Sequence, residues 1–240
     1  MNGGWKLLAE ELAHWADEPR KVRFWWRDDD AMREHPTLDR LLDLSGRHGI
    51  ATGLAVVPGG ADPAMLFALP PTVTILQHGC DHANRALAGE KKCEFPASLP
   101  TEVRLARLVG ARAALAQASG GRALPVLVPP WNRLDDALAR RLPAAGYAGL
   151  SRFKARTKAR AIPGLIEINT HADLMNWQGQ RGFAGDDAVL GQLVGHLMAK
   201  RTDPAVADEP TGLLTHHRVH DPAAWDFLER LFEFTRRHDS

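Results

Sequence analysis

The sequence predicts an α/β fold built on a parallel β-sheet, and three observations support this. Short apolar runs alternate along the whole chain with segments whose apolar residues recur at helical spacing. The apolar runs are continuous rather than alternating, which is typical of strands covered on both faces. About seven such runs are present, a number that favours a barrel over an open sheet.

The elements follow one another without a linker rich in proline, glycine or serine. We therefore expect one domain over residues 1–240, with a helix inside 1–20 as an N-terminal addition. The helix at 36–48 ends at Gly49, a residue typical of helix C-caps. We predict strands at 23–26, 50–58, 72–77, 123–128, 147–151, 165–169 and 211–215, and helices at 4–16, 36–48, 101–119, 134–145, 187–200 and 223–237.

Composition and charge exclude several classes of protein. With 45% hydrophobic and 25% charged residues, the chain is neither disordered nor a coiled coil. A net charge of +1 gives no general field for nucleic acid or an anionic membrane. No apolar run reaches the roughly 18 residues of a membrane span. Two cysteines and no recognisable signal peptide indicate a cytoplasmic protein. The oligomeric state stays open.

Reactive side chains follow the ends of four predicted strands. Asp28-Asp29-Asp30 come after the first strand, His78 and His82 after the third, residues 129–133 after the fourth, and His216-His217 after the last. In a parallel barrel these ends lie on one face, where such enzymes build their sites. Three carboxylates after a buried strand would repel one another unless a positive group offsets them. We therefore expect a cation or an arginine at this face.

Two imidazoles and one carboxylate form a three-ligand site that leaves positions open for water, as hydrolytic metals require. Zinc fits this ligand set best, although manganese, cobalt, nickel or iron would also fit. The sequence contains no HExxH, no P-loop, no GxGxxG after the first strand and no GxSxG. Metalloprotease, kinase, dinucleotide-binding and serine-hydrolase functions thus lose their usual support.

From about residue 21 to 234, the motifs resemble, in order, those of the polysaccharide deacetylase family, the metal-dependent NodB-homology carbohydrate esterases. The resemblance implies a distorted parallel (β/α)7 barrel. Its motifs lie at Arg27-Asp28-Asp29-Asp30-Ala31, His78-Gly79-Cys80-Asp81-His82, Pro129-Pro130-Trp131-Asn132, Asp173-Leu174-Met175-Asn176-Trp177 and Leu214-Thr215-His216.

The resemblance also implies roles for these residues. Asp29 would be the catalytic base and His216 the general acid, while Asp30, His78 and His82 would bind the divalent metal. The substrate groove would be lined by Trp131, Asn132, Arg133, Asp173 and Trp177. Together they imply removal of an N-acyl group, most simply acetyl, from an amino sugar or sugar conjugate. The substrate would thus be a small molecule or an oligosaccharide.

Three departures leave alternatives open. The third motif of the family opens with an arginine that orients the base, but Val128 stands here, so Arg27 or Arg133 would have to substitute. The aspartate triplet permits a second register, with Asp28 as base and Asp29 as ligand. His217 could also exchange roles with His216.

Three other functions compete with this hypothesis. They are a hydrolase of another small amide or ester, a non-catalytic carbohydrate-binding barrel, and a structural metal site on His216, His217 and His220. Separately, basic residues occupy alternate positions from 152 to 160. They form either an ordinary solvated loop or a phosphate-binding rim.

Overall fold

The computed structural model describes residues 3–158, 160–179 and 181–238. Eight strands form one sheet with the order β6-β5-β4-β3-β2-β1-β10-β7, and every pairing in it is parallel. The strands are β1 (Phe24–Ala31), β2 (Thr52–Val56), β3 (Val73–His78), β4 (Val126–Val128), β5 (Gly149–Leu150), β6 (Ile166–Glu167), β7 (Ala172–Asp173), β8 (Met175–Asn176), β9 (Gly182–Phe183) and β10 (Thr211–Thr215).

The sheet is curled into a distorted (β/α)7 barrel, which confirms the predicted fold class. Among the described residues, the edge strands β6 and β7 do not pair with each other, so the barrel is open along that seam. Strands β8 and β9 form a separate antiparallel hairpin. The prediction missed this hairpin and β7, since these two-residue strands, unlike β5 and β6, do not lie within a predicted apolar run.

The helices are α1 (Gly3–Ala16), α2 (Pro36–His48), α3 (Pro63–Ala68), α4 (Thr101–Ala118), α5 (Asp136–Ala139), α6 (Asp186–Thr202) and α7 (Pro222–Arg236). Helix α2 ends at Gly49, whose φ of 66° is the left-handed conformation that glycine adopts without strain. None of the helices in the described ranges is long and apolar enough to cross a bilayer.

The predicted helix at 134–145 is wrong. Only Asp136–Ala139 is α-helical there, and the Asp135 side chain caps its first turn by accepting the N–H of Leu138. Pro143 lacks the N–H that a continuous helix would need, and its ring clashes with the preceding turn. A 3₁₀ turn at Pro143–Ala145 therefore replaces the helix end.

Strand β1 lies between β2 and β10, and its side chains alternate between two environments. Trp26 points outward and packs on Phe232 of α7, with 4.9 Å between ring centroids. Trp25 points into the barrel, where its ring lies next to Gly53. This alternation continues into the aspartates, since β1 runs to Ala31 rather than ending at Trp26 as predicted. It therefore decides which side each carboxylate faces.

Candidate active site

The carboxyl ends of β1, β3 and β10 lie at one end of the barrel, with β2 between β1 and β3, and bring the predicted motifs together. The register of β1 slips against β2 between Asp28 and Ala31. Asp30 sits in this bulge with a φ of 72°. A bulge re-aims the side chain that it carries. Here it turns Asp30 toward the end of β3.

Asp30, His78 and His82 meet, as the spacing of the motifs predicts. Asp30 Oδ1 lies 3.1 Å from His78 Nε2 and 3.2 Å from His82 Nε2. The three ligand atoms lie within 4.8 Å of one another. His78 is buried, whereas His82 and Asp30 are half-buried. All three side chains could therefore contact one ion, and the ion could enter from the exposed side of Asp30 and His82.

The hydrogen bonds around His78 test whether these residues fit a metal. Its Nδ1 lies 3.0 Å from the carbonyl oxygen of Val128 and must donate to it. In the neutral ring, Nε2 then carries a lone pair that faces the carboxylate of Asp30. Two acceptors at 3.1 Å repel each other unless a proton or a cation lies between them. Burial would lower the pKa of His78, but the contact with the Asp30 carboxylate raises it, and a bound cation would take the place of that proton. Asp30 Oδ1 is buried and has no hydrogen-bond partner within the described residues. The donor set therefore fits a divalent cation.

The pKa of Asp30 agrees with this arrangement. Burial would raise it, but the neighbouring imidazoles, above all His78, hold the pKa of this carboxyl well below its ordinary value. Asp30 is therefore an anion, as a metal ligand must be.

Asp29 faces the barrel interior beside this group and is held by Arg27. The guanidinium donates from Nε to Oδ1 at 2.8 Å and from Nη2 to Oδ2 at 3.0 Å. Both side chains are buried. Arg27 also donates to Ser151 Oγ at 2.6 Å and to Asn132 Oδ1 at 2.8 Å. The carboxylate of Asp29 is thus fixed in orientation by a residue two positions before it.

Arg27 therefore makes the contact with Asp29 that the family resemblance would assign to an arginine at position 128. Val128 packs inside the barrel with Ala55 and Leu76. Arg133, the other candidate, donates to the carbonyl oxygen of Lys92 at 2.5 Å. Of the two predicted substitutes, only Arg27 contacts Asp29.

Asp28 faces the opposite side of β1 and is wholly buried. It accepts the Nδ1–H of His217 at 2.5 Å, the backbone N–H of His217 at 2.9 Å and the hydroxyl of Thr215 at 2.6 Å. Burial would raise the pKa of Asp28, but these contacts and the charge of His217 lower it. Asp28 thus connects β1 to the end of β10. This geometry favours Asp29 and Asp30 over the alternative register of the triplet.

His216 borders the group around Asp30. It lies close enough to oppose electrostatically the rise that burial would cause in the pKa of both Asp30 and Asp173. Its Nδ1 is buried without a hydrogen-bond partner in the described part of the chain. The ring of Trp177 meets it edge-on, with 4.6 Å between centroids. By contrast, His217 is bonded to Asp28, and His220 Nε2 accepts the N–H of His216.

The other predicted groove residues differ in how they are engaged. Trp131 packs on the ring of His82 at 4.5 Å between centroids. Trp177 donates to Asp173 Oδ2 at 2.8 Å and stays 41% exposed, so its face is open to a ligand. Asn132 is bound to Arg27, and Arg133 is bound to Lys92. The contacts of Asn132 and Arg133 are therefore within the protein.

Two arginines of the segment 152–160, considered above as an alternative phosphate-binding rim, are engaged within the protein. Arg152 donates to Glu167 at 2.8 and 3.0 Å. Arg156 is buried and pairs with Asp208. Both guanidiniums thus offset carboxylates of the same chain.

A second buried group of possible ligands, which the sequence analysis missed, consists of His171, His196 and Glu209. His171 Nδ1 accepts the N–H of Gly212 at 2.9 Å, so the proton of the neutral ring is on Nε2, 3.4 Å from Glu209 Oε2. The two imidazoles are stacked at 3.3 Å and 13°, so their in-plane lone pairs run nearly parallel. This group does not fit a metal, and its scattered positions carry no pattern in the sequence.

No protein-family model matches the sequence, and no curated protein matches it significantly. Solved structures do match. A family 4 carbohydrate esterase from Streptomyces lividans, in complex with acetate, is 14% identical, with 90% of this chain and 89% of that one covered at a TM-score of 0.58. The peptidoglycan deacetylase PdaC from Bacillus subtilis is 13% identical, with 90% and 86% covered at 0.55.

A family 4 pseudoenzyme from Bacillus anthracis is also similar. It is 11% identical, with 92% of this chain and 63% of that one covered at a TM-score of 0.56. These similarities confirm that the chain has the fold of the carbohydrate esterases that its motifs resemble.

Proposed function

We propose that this protein is a divalent-metal-dependent N-deacetylase acting on an amino sugar or a sugar conjugate. The observation that carries the proposal is the meeting of Asp30, His78 and His82, whose three possible ligand atoms lie within 4.8 Å of one another. The fold shared with structures described as deacetylases supports it.

The chain's own residues supply the other parts of the chemistry. When bound by Asp30, His78 and His82, a divalent metal would polarise the acyl carbonyl and acidify a water molecule. Zinc suits this ligand set, and manganese, cobalt, nickel and iron are alternatives for the metal analysis to decide. Asp29, oriented by Arg27, accepts the proton of the attacking water.

His216 is the proposed general acid on the other side of the site. An amide nitrogen leaves poorly unless it is protonated, so a donor must stand opposite the base. We propose His216 for this role, because it lies near Asp173 and Trp177 at the end of β10. The exposed face of Trp177 offers a stacking surface for a sugar ring. The substrate is therefore proposed to lie between Trp177 and Trp131.

The Arg27–Asp29 pair favours catalysis over the alternative of a non-catalytic carbohydrate-binding barrel. A barrel that only bound sugar would have no need for a carboxylate fixed by two hydrogen bonds beside the metal ligands. Metal analysis of the purified protein, followed by acetate release from N-acetylglucosamine oligomers, tests the proposal. We expect bound metal, activity lost to chelator and activity restored by added metal. A metal-free protein that gains no activity with any divalent ion would refute it.

A further inference from the structure

The loop between His78 and His82 is held in shape by a side chain from outside the motif. Glu94 is fully buried, and its Oε1 accepts the backbone N–H of Cys80 and the backbone N–H of Asp81, each at 3.0 Å. These two N–H groups belong to consecutive peptides at the middle of the loop. One carboxylate thus fixes the segment that sets the spacing of the two imidazoles.

The backbone of this loop depends on that contact. Gly79 has a φ of 58°, and a Cβ atom there would lie 2.1 Å from Glu94 Oε2 and 2.6 Å from the ring of Pro130. His82 is also left-handed, with a φ of 56°. Glycine adopts this conformation freely, but at His82 it persists only where surrounding contacts enforce it. The side chain of Glu94 packs into the space that Gly79 leaves.

Two arginines complete the environment of Glu94. Arg85 Nη1 and Arg107 Nη2 each lie 3.9 Å from Glu94 Oε1. Both also bind the carboxylate of Asp81, Arg85 at 2.6 Å and Arg107 at 3.2 Å. The arginines offset only part of the charge on Glu94, since burial and the neighbouring Asp81 raise the pKa of Glu94 to about 7. Its side chain has no exposed surface with which to meet a substrate.

We infer that Glu94 is a positioning residue that sets the affinity of the Asp30-His78-His82 group for its metal by holding the loop between the two histidines. This inference rests on the proposed function. Residues that orient metal ligands typically change metal affinity by about 10- to 100-fold when they are replaced. Removing Glu94 leaves two backbone N–H groups without an acceptor, and the loop can then relax away from the shape that aims His78 and His82 together.

The test measures Zn²⁺ affinity of the full chain by competition with a chromogenic chelator. The variants are Glu94→Ala, Glu94→Gln and, as a control, Glu90→Gln, which changes an exposed glutamate of the same segment. We expect the dissociation constant to rise about 10- to 100-fold for Glu94→Ala. We expect a smaller rise for Glu94→Gln: its amide oxygen can accept both N–H groups in place of Oε1, but its NH2 group would stand at Oε2, 3.3 Å from the N–H of Cys80, and two donors repel each other. We expect no change for Glu90→Gln.

Each outcome separates this inference from the proposed function. If the unmodified protein does not bind Zn²⁺, the metal site itself is wrong. If the unmodified protein binds Zn²⁺ and both Glu94→Ala and Glu94→Gln bind it with the same affinity as the unmodified protein, Glu94 has no positioning role. Thermal unfolding in excess chelator shows whether each variant folds. Should Glu94→Ala fail to fold, the near-isosteric Glu94→Gln decides, and an unchanged affinity in that variant overturns the inference.

Discussion

Replacing Arg27 is the most demanding test of how this site is built. Its guanidinium makes two hydrogen bonds to Asp29 and one each to Asn132 and Ser151, all with side chains. An Arg27→Met variant leaves the carboxylate of Asp29 buried without its partner, which costs about 3–5 kcal/mol of unfolding free energy. Arg27→Lys keeps the charge but not the planar fork that matches both oxygens.

The two variants should therefore separate charge from orientation. We expect Arg27→Lys to lose less stability than Arg27→Met, because the ion pair survives. We still expect its kcat for acetate release to fall by about 100-fold, since misplacing a reacting group by about 1 Å has that effect. Urea unfolding and steady-state kinetics measure the two quantities. Arg33→Lys, at an exposed position just after β1, is the matched control.

One result would refute this reasoning. If Arg27→Lys kept full kcat and Arg27→Met unfolded at the same urea concentration as the unmodified protein, the pair with Asp29 would be dispensable. The orientation of the base would then have to come from elsewhere in the site.

Three further predictions use other residues. Asp30→Ala should release the metal, whereas Asp29→Asn should retain it and lose about 100- to 10,000-fold in kcat. The metal content and the kinetics of the two variants check this. Equal metal loss in both variants would count against Asp29 as base and Asp30 as ligand. Asp28→Asn should lower the unfolding free energy by about 2–4 kcal/mol, because it weakens a buried charged contact with His217; urea unfolding measures it, and a loss below about 0.5 kcal/mol would contradict it. Burial, aided by Arg23 and Arg20, lowers the pKa of Lys200 to about 8 from its ordinary 10.5. The folded chain then loses this proton before the unfolded chain does, so the free energy of unfolding should rise by up to about 3 kcal/mol between pH 8 and 10.5. Lys200→Met should abolish that rise in urea unfolding across this range, and an identical pH profile in the variant would show the shift to be absent.

The sequence predicts where the candidate site lies but only some of the contacts that hold its residues in place. Apolar strands followed by aspartates and histidines are sufficient to place those side chains on one face of a parallel barrel. The alternation of side chains along β1 also shows which residues share a face, but the predicted strand ended at Trp26, before the aspartates. Once the strand extends to Ala31, Arg27 and Asp29 share the inner side, while Trp26 and Asp28 share the outer side.

Contacts between distant segments set the limit of such reasoning. Nothing in the local pattern around Glu94 indicates that it reaches back to Cys80, because the intervening residues form no helix or strand. The pairing of Asp28 with His217 likewise spans 189 positions and appears only when β1 lies beside β10. Pairings of this kind depend on the three-dimensional arrangement rather than on residue type.

Backbone strain gives an independent argument that this face is a functional site. Five non-glycine residues in the described chain have a left-handed φ, and four of them, Asp30, His82, Trp131 and Asn132, belong to the predicted site; the fifth is Lys154. Each such conformation costs about 1–3 kcal/mol and persists only where surrounding structure enforces it. An ordinary solvated turn would relax or use glycine at these positions. Here the strained backbone aims the carboxylate of Asp30 and the imidazole of His82 at each other and places the ring of Trp131 beside them. The cost in stability is what we expect where a binding site requires a fixed geometry.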